Sequence, residues 1–141
     1  MEAIEAVLQR LLTETGASRV TLRRDVSRDY AFPVTHEALA AGVPSLLSER
    51  TVDLRTQPVV LELQRRKQVV QDDCRAAYDD PTFRRMLDAY GGLAAQIVTP
   101  LFRDGRLFAI VSVHQLGGPR GWSDEETAAA RRAVEELGGL L

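Results

Sequence analysis

The chain has 141 residues, of which 45% are hydrophobic and 27% are charged, a balance typical of a globular domain that folds by itself. Its formal net charge of -2 does not supply the positive field that nucleic-acid binding requires. The single cysteine, Cys74, excludes an internal disulfide and fits a reducing compartment. An acidic start and the lack of a long apolar run argue against export and membrane insertion. We therefore expect one cytoplasmic domain over residues 1–141 that contacts neither nucleic acid nor a membrane.

The first third of the chain predicts one helix and two strands. Gly16 is placed to end the opening helix, and alternation of apolar and polar residues predicts a strand from Ser18 to Arg23. We expect a second strand from Tyr30 to Val34, and helical turns with loop from Glu37 to Ser48. The opening helix is predicted from apolar residues at helical spacing, namely Ile4, Val7, Leu8, Leu11 and Leu12.

The middle of the chain predicts two more helices around a short strand. A proline at position 58 favours a helix from Val59 to Arg66, and Gln68 to Gln71 follows as a strand. The pair Asp80-Pro81 then introduces a helix that Gly91-Gly92 stops. Its apolar stripe consists of Phe83, Met86, Leu87 and Tyr90.

The last third contains the clearest local signals. Two runs rich in Val, Ile and Phe, Ala94 to Phe102 and Arg106 to Leu116, flank Asp104-Gly105, a favoured pair for a tight hairpin turn. Ser123 and Glu126 then form a capping-box pattern, in which each side chain accepts a hydrogen bond from the other residue's backbone N–H. A terminal helix is therefore predicted, with one apolar face made of Ala130, Ala133, Val134, Leu137 and Leu140 or Leu141.

Three segments resemble motifs of the GAF domain family. The family's "vPL...dGrliGvlsvh" hairpin is resembled by Ile97 to Leu101 together with Asp104 to His114. Its "fsdeE" helix start is resembled by Trp122 to Glu126, and the end of its third strand by Val69 to Asp73. The resemblance implies an α+β, PAS-related fold with a central, mostly antiparallel sheet of five to six strands flanked by helices. In that fold the N- and C-terminal helices cover one face of the sheet, and a ligand cavity lies on the other.

The same resemblance implies a sensory module in bacterial-type signal transduction. We expect a small organic molecule or anion to bind between the sheet and the Cys74 to Tyr90 segment, and a separate protein to receive the signal. GAF proteins often dimerise through their terminal helices, and two stripes are candidates here, although both equally suit covering the sheet. The stripes are Leu8, Leu11 and Leu12 at the start and Val134, Leu137 and Leu141 at the end.

The faces of the hairpin depend on its register. A two-residue turn with uninterrupted pairing places Thr99, Ser112 and His114 on one face, where small polar groups among apolar walls suit a ligand pocket. A three-residue loop with a bulge would instead shift the pairing by one residue and bring Ser112 and His114 to the face of Gln96. The covering segment adds three candidates, each of which equally suits the core: Tyr78, Phe83 and Tyr90.

The remaining residues do not point to an enzyme, a metal site or an identified cofactor. The free methionine-R-sulfoxide reductases, which have the GAF fold, use several cysteines, whereas Cys74 has no second cysteine to resolve a sulfenic acid. Arg75 stands where bilin-binding members commonly have histidine after the attachment cysteine, and the "NKFDE" signature of cyclic-nucleotide-type domains is absent. His36 and His114 are not accompanied by a metal-binding pattern. A cysteine redox enzyme and a ligand-free dimerisation scaffold remain the alternatives to a sensor.

Overall fold

Five antiparallel strands form a single open sheet in the computed structural model, which describes residues 2–141. Their order across the sheet is β2-β1-β5-β4-β3, so the two long strands of the predicted hairpin lie in its interior. The strands are β1 (Arg19–Arg24), β2 (Val34–Leu39), β3 (Val69–Gln71), β4 (Leu93–Arg103) and β5 (Arg106–Leu116). The α+β class, the antiparallel sheet and its flanking helices are confirmed, with five strands.

One face of the sheet is covered by the first and last helices. Helix α1 (Ala3–Thr15) ends at Gly16, whose left-handed backbone (φ 62°) lets its N–H donate to the Leu12 carbonyl. The last helix, Asp124–Gly138, begins with the predicted capping box, in which Ser123 and Glu126 cap each other's backbone N–H. Both helix predictions are confirmed. The helices contact each other and bury a core on strand residues such as Val20, Val111 and Val113.

The opposite face is covered by short elements. Helices α2 (Pro58–Leu63) and α3 (Pro81–Ala89) lie here, and the last helix is therefore α4; single helical turns at Leu54–Thr56 and Cys74–Ala76 complete the cover. The side chain of Asp80 accepts from the Phe83 N–H and caps α3, as the sequence pattern predicts. These elements bury a second core, which includes Leu63, Phe83, Leu87 and the strand residues Val98 and Ile110.

The hairpin turn has the predicted form, but the strand beyond it does not. Asp104 and Gly105 both have positive φ, 53° and 77°, and Arg103 pairs with Arg106, as in a two-residue type I′ turn. Phe102 then pairs with Leu107 while Leu101 pairs with Ala109, so Phe108 is an extra, bulged residue. The bulge reverses the face of the β5 residues from Ala109 to Gln115 relative to β4, and a second irregularity between Leu93 and Ala95 restores the original register at Leu116.

The assignment of Thr99, Ser112 and His114 to one face is therefore wrong. Ser112 pairs with Val98 and His114 pairs with Gln96, so both lie on the face of Gln96. This is the face that a three-residue loop with a bulge predicts, although the structure reaches it with a two-residue turn and a bulge at Phe108. Thr99 points to the opposite face, where its hydroxyl accepts from Gln68 Nε2 at 3.0 Å.

The second strand lies later in the chain than predicted. It runs over Val34–Leu39 instead of Tyr30 to Val34, and it takes up part of the segment from Glu37 that was predicted as helical turns and loop. Phe32 has a positive φ of 54°, which breaks extended structure, and the Tyr30 hydroxyl donates to the Val52 carbonyl at 2.5 Å. Pairing with the edge of β1, a long-range effect, makes the later segment extended.

The two stripes proposed for a dimer interface are largely buried inside the protomer. Leu8 and Leu137 are fully buried, and their neighbours in both stripes pack in the same core against the sheet. A dimer through α1 and α4 would have to use their outer sides instead. Among residues 2–141, no helix is long and apolar enough to cross a bilayer.

Candidate functional site

A small cavity lies between the sheet and its α2 cover. Its volume is about 30 Å³, which is room for two or three water molecules. Strands β1, β4 and β5 form the floor, while α2, α3 and the Leu54–Thr56 turn form the roof. The lining residues are Arg23, Leu54, Gln57, Val59, Val60, Leu63, Met86, Tyr90, Gln96, Val98, Ile110, Ser112 and His114.

Four of the seven predicted site residues line this cavity. Gln96, Ser112, His114 and Tyr90 are all buried there, and Gln96 Nε2 donates to Gln71 Oε1 at 2.9 Å. The other three, Thr99, Tyr78 and Phe83, do not line it.

Tyr78 and Phe83 belong to the packing of the cover. Phe83 is fully buried in the second core. The rings of Tyr78 and Phe83 pack edge to face, with their centroids 4.8 Å apart. The Tyr78 hydroxyl donates to Glu62, and burial raises its pKa. The interpretation of these two residues as core and loop-packing residues fits their position.

His114 is held by a buried arginine on β1. Arg19 Nε donates to His114 Nδ1 at 3.0 Å, and the other guanidinium nitrogens donate to the carbonyls of Pro44 (2.9 Å) and Tyr90 (2.7 Å). A guanidinium can only donate, so Nδ1 carries the lone pair and the neutral ring has its proton on Nε2. The ring also stacks on Tyr90 with centroids 6.0 Å apart. The tautomer is therefore fixed by Arg19.

We expect the fold to weaken in mild acid because of His114. Burial lowers its pKa well below the ordinary 6.5, and the positive charges of Arg19 and Arg23 lower it further. Below pH 6.5 the His114 ring is protonated in the unfolded state but stays neutral in the folded state. The free energy of unfolding therefore falls by up to about 1.4 kcal/mol per pH unit. Urea unfolding at pH 7.5 and pH 5.5 measures this loss.

The matched variant for this prediction is His114→Asn. Its amide oxygen can accept from Arg19 in place of Nδ1, but it does not titrate. The variant should lose less stability than the wild type between the two pH values. An equal loss in both proteins would contradict the prediction.

Arg23 lies on the same face of β1 as Arg19, four residues further along the strand, and its side chain lines the cavity. Its guanidinium donates to the Phe32 carbonyl at 3.0 Å and to the Tyr90 hydroxyl at 2.7 Å, and the side chain is 4% exposed. Burial raises the pKa of Tyr90 to about 12, so this phenol is neutral near pH 7. Among residues 2–141, neither Arg19 nor Arg23 has a carboxylate within 4.0 Å.

Gln57, just before α2, brings an unsatisfied amide to the roof. The residue is 1% exposed, and neither Nε2 nor Oε1 has a hydrogen-bond partner among the described residues. An unpaired buried amide costs about 1–3 kcal/mol, so its hydrogen bonds have to be made with a molecule inside the cavity. Such a group marks a place where a bound molecule can supply the missing partner.

Sequence reasoning missed Arg19, Arg23 and Gln57. The signal for the arginines is present, because Arg19, Thr21 and Arg23 alternate with apolar Val20 and Leu22. Such alternation on its own indicates a polar face in solvent, whereas here both faces of β1 are buried. No local pattern distinguishes Gln57 from an exposed glutamine before a helix.

Cys74 is a buried residue of the second core. It is fully buried, and burial together with the charge of Asp73 raises its pKa to about 12. It does not line the cavity.

Comparison with known proteins matches the chain to one family and one fold. Residues 2–141 match the GAF domain family. The phycocyanobilin-bound GAF domain of a cyanobacterial phytochrome aligns at TM-score 0.79 and 21% identity, covering 97% of this chain and 81% of that one. The blue-light absorbing form of the Thermosynechococcus elongatus PixJ GAF domain aligns at TM-score 0.73 and 20% identity, covering 97% and 88%. GAF3 of Slr1393 from Synechocystis aligns at TM-score 0.75 and 19% identity, covering 96% and 88%.

An open antiparallel sheet between a helical layer and an irregular cover defines the class as an α+β domain with a cavity on one sheet face. The chain belongs to the GAF domain family. No curated protein matches its sequence. At these identities the structural neighbours establish the fold alone.

Proposed function

We propose that this GAF domain is a sensory module that binds a small ligand in the cavity under α2. The observation that carries the proposal is the buried Gln57 amide on an otherwise apolar roof, opposite a floor with Ser112 and His114. A few placed polar groups among aliphatic walls are characteristic of ligand sites. The family supports the same reading, since structural neighbours include a phycocyanobilin-bound GAF domain.

A bilin does not fit this cavity. Sites for drug-sized ligands enclose about 300–1,000 Å³, an order of magnitude more than the volume of about 30 Å³ here. Cys74, the single cysteine of the chain, is packed in the core away from the cavity lining. We therefore propose a much smaller ligand than the chromophores of the structural neighbours.

Signalling in this proposal follows from the two-sided sheet. Val98 and Ser112 face the cavity, while their neighbours Ile97 and Val113 pack under α1 and α4. A ligand that binds one arrangement of the cover more tightly shifts the population toward it, and the strands relay the change to the helices. The outer sides of α1 and α4 are then the surface through which a separate protein, or a second copy of the chain, is contacted.

We propose a binding module and not an enzyme. A thiol whose pKa is raised to about 12 is a poor nucleophile at neutral pH, which disfavours a cysteine redox reaction at Cys74. His114 has a lowered pKa, but it faces a cavity without an acidic partner residue. A ligand-free scaffold remains the competing function.

Thermal unfolding against a panel of small metabolites tests the proposal. A ligand at 100 times its dissociation constant adds about 2.7 kcal/mol and should raise the melting temperature by about 5–10 °C. Native mass spectrometry of the purified protein should detect a co-purified ligand by its mass. If no compound raises the melting temperature, the scaffold is supported and the sensor proposal fails.

Two variants show whether a ligand that raises the melting temperature occupies this cavity. Ser112→Val removes a hydroxyl from the floor and adds methyl groups that fill the small volume, so it should abolish the shift. Thr99→Val removes a hydroxyl from the opposite face and should keep it. An equal response of both variants would place the ligand elsewhere.

A further inference from the structure

The polar groups that line the cavity include several hydrogen-bond donors, one of them charged, but no charged acceptor. Arg23 contributes guanidinium N–H groups, His114 an Nε2–H, Ser112 a hydroxyl and Gln57 an amide NH₂. None of the described lining residues is acidic. We propose that the ligand is a short aliphatic carboxylate of two to four carbon atoms, whose carboxylate lies against Arg23 and the Gln57 amide. This inference rests on the proposed function and names the chemical class of its ligand.

The charge of Arg23 is the first argument. Buried arginines are almost always paired with an acid, because removing a charge from water is costly. Arg23 is 4% exposed, yet its two hydrogen bonds go to a carbonyl and to a phenol, both neutral acceptors. Two of its five N–H groups are used in this way, so others are free to bind an anion. A carboxylate matches the planar fork of the guanidinium.

Gln57 is the second, independent argument. Its amide lines the same cavity without any partner for Nε2 or Oε1 among the described residues. An anion between Arg23 and Gln57 would satisfy the amide donor that the fold leaves unpaired.

The aliphatic part of the lining argues for a carbon tail. Leu54, Val59, Val60 and Leu63 of the roof face Val98 and Ile110 of the floor. An inorganic anion would leave these side chains without a partner, whereas a methyl or ethyl group buries apolar surface against them.

The volume sets the length of the tail. About 30 Å³ accommodates a molecule of a few heavy atoms, such as acetate, with little rearrangement. Met86 also lines the cavity, and its unbranched side chain adapts readily, so propionate and butyrate require only local repacking. Longer chains would have to displace α2.

Isothermal titration calorimetry with matched ligands tests the proposal. Acetate, propionate and butyrate should bind with dissociation constants in the micromolar to millimolar range, as expected for ligands of so few atoms. Acetamide and propionamide have the same shapes without the charge and should bind at least about tenfold more weakly. Amides that bind as tightly as the carboxylates would overturn the proposal. So would nitrate binding in the absence of carboxylate binding.

The sharpest variant is Gln57→Leu, because its effects on stability and on binding have opposite signs. It removes the unpaired amide, so the ligand-free protein should melt about 3–6 °C higher. It also removes a donor to the carboxylate, so affinity should fall about tenfold or more. The control Gln9→Leu makes the same change on exposed α1 and should alter neither quantity. Unchanged carboxylate affinity in Gln57→Leu would overturn the proposal.

Arg23→Met tests whether the charge of Arg23 is needed for binding. If Arg23→Met does not fold, Gln57→Leu still tests the carboxylate proposal. Arg23→Met should lose carboxylate binding altogether, and retained binding would overturn the proposal. The carboxylate ligand and the sensory function can be refuted separately. A neutral metabolite that binds and loses its effect in Ser112→Val would refute the carboxylate while preserving the sensor. Absence of binding by every compound would refute both.

Discussion

Replacing Phe83 by alanine should lower the free energy of unfolding by about 3–5 kcal/mol. The ring is fully buried between the Tyr78 ring and the second core, and with Met86 and Leu87 it is one of the three buried side chains that fix α3 to the sheet. Truncation removes the transfer free energy of the ring and leaves a cavity that neighbouring side chains fill only partly. Because domains of this size are stable by about 5–15 kcal/mol, this single change removes a large share of the total. Urea unfolding followed by circular dichroism measures it.

The control for this prediction is Phe83→Leu, which keeps most of the apolar volume and should cost clearly less than the alanine variant. Phe83 does not line the cavity, so a Phe83→Leu protein that folds should keep the ligand affinity of the wild type. A loss of less than about 1 kcal/mol in Phe83→Ala would contradict the placement of the ring in the core.

Replacing Leu137 by alanine should cost about 2–5 kcal/mol on the other side of the sheet. Leu137 is fully buried and fixes α4 in the core that it shares with α1 and the strands. The neighbouring Leu140 is 45% exposed, so Leu140→Ala is a matched control that should change stability by no more than about 0.5 kcal/mol. Urea unfolding of the two variants provides the comparison.

The same pair of variants distinguishes a sheet-facing helix from a dimer interface. The predicted stripe on α4 was equally suited to a second copy of the chain, whereas the structure buries Leu137 within the protomer. If Leu137 stabilises the monomer, the loss in Leu137→Ala is independent of protein concentration. A loss that disappears at high concentration would indicate that the residue acts between copies.

Local signals in the sequence were sufficient for several elements. Gly16 ends α1 through its left-handed backbone, the Asp104-Gly105 pair forms the type I′ turn, and Ser123 with Glu126 caps α4. Each of these features depends only on residues a few positions apart in the sequence, so the sequence alone is enough to predict it. Together with the apolar spacing, they were enough to indicate the α+β class and the GAF resemblance.

The second strand and the hairpin faces depended on longer-range contacts. β2 is extended because it pairs with β1, although the sequence predicts a strand only as far as its first residue, Val34. β5 pairs with β1 and β4 at once, and the bulge at Phe108 places Ile110, Ser112 and His114 toward the cavity. Because the bulge reverses the β5 residues from Ala109 to Gln115 relative to β4, a correctly predicted turn still gave the wrong face for Thr99.

The candidate site shows the same division. From the sequence alone, polar or aromatic residues on a hairpin and its cover suit a pocket, which makes Gln96, Ser112, His114 and Tyr90 ligand candidates. The tertiary structure decided that Arg23 and Gln57 join them while Thr99, Tyr78 and Phe83 do not. Periodicity reveals which residues share a face of a strand, but only packing reveals whether that face is covered. Because both faces of β1 are buried, Arg23 is not an exposed residue of a polar stripe but a buried charge beside the cavity, without a carboxylate partner among the described residues.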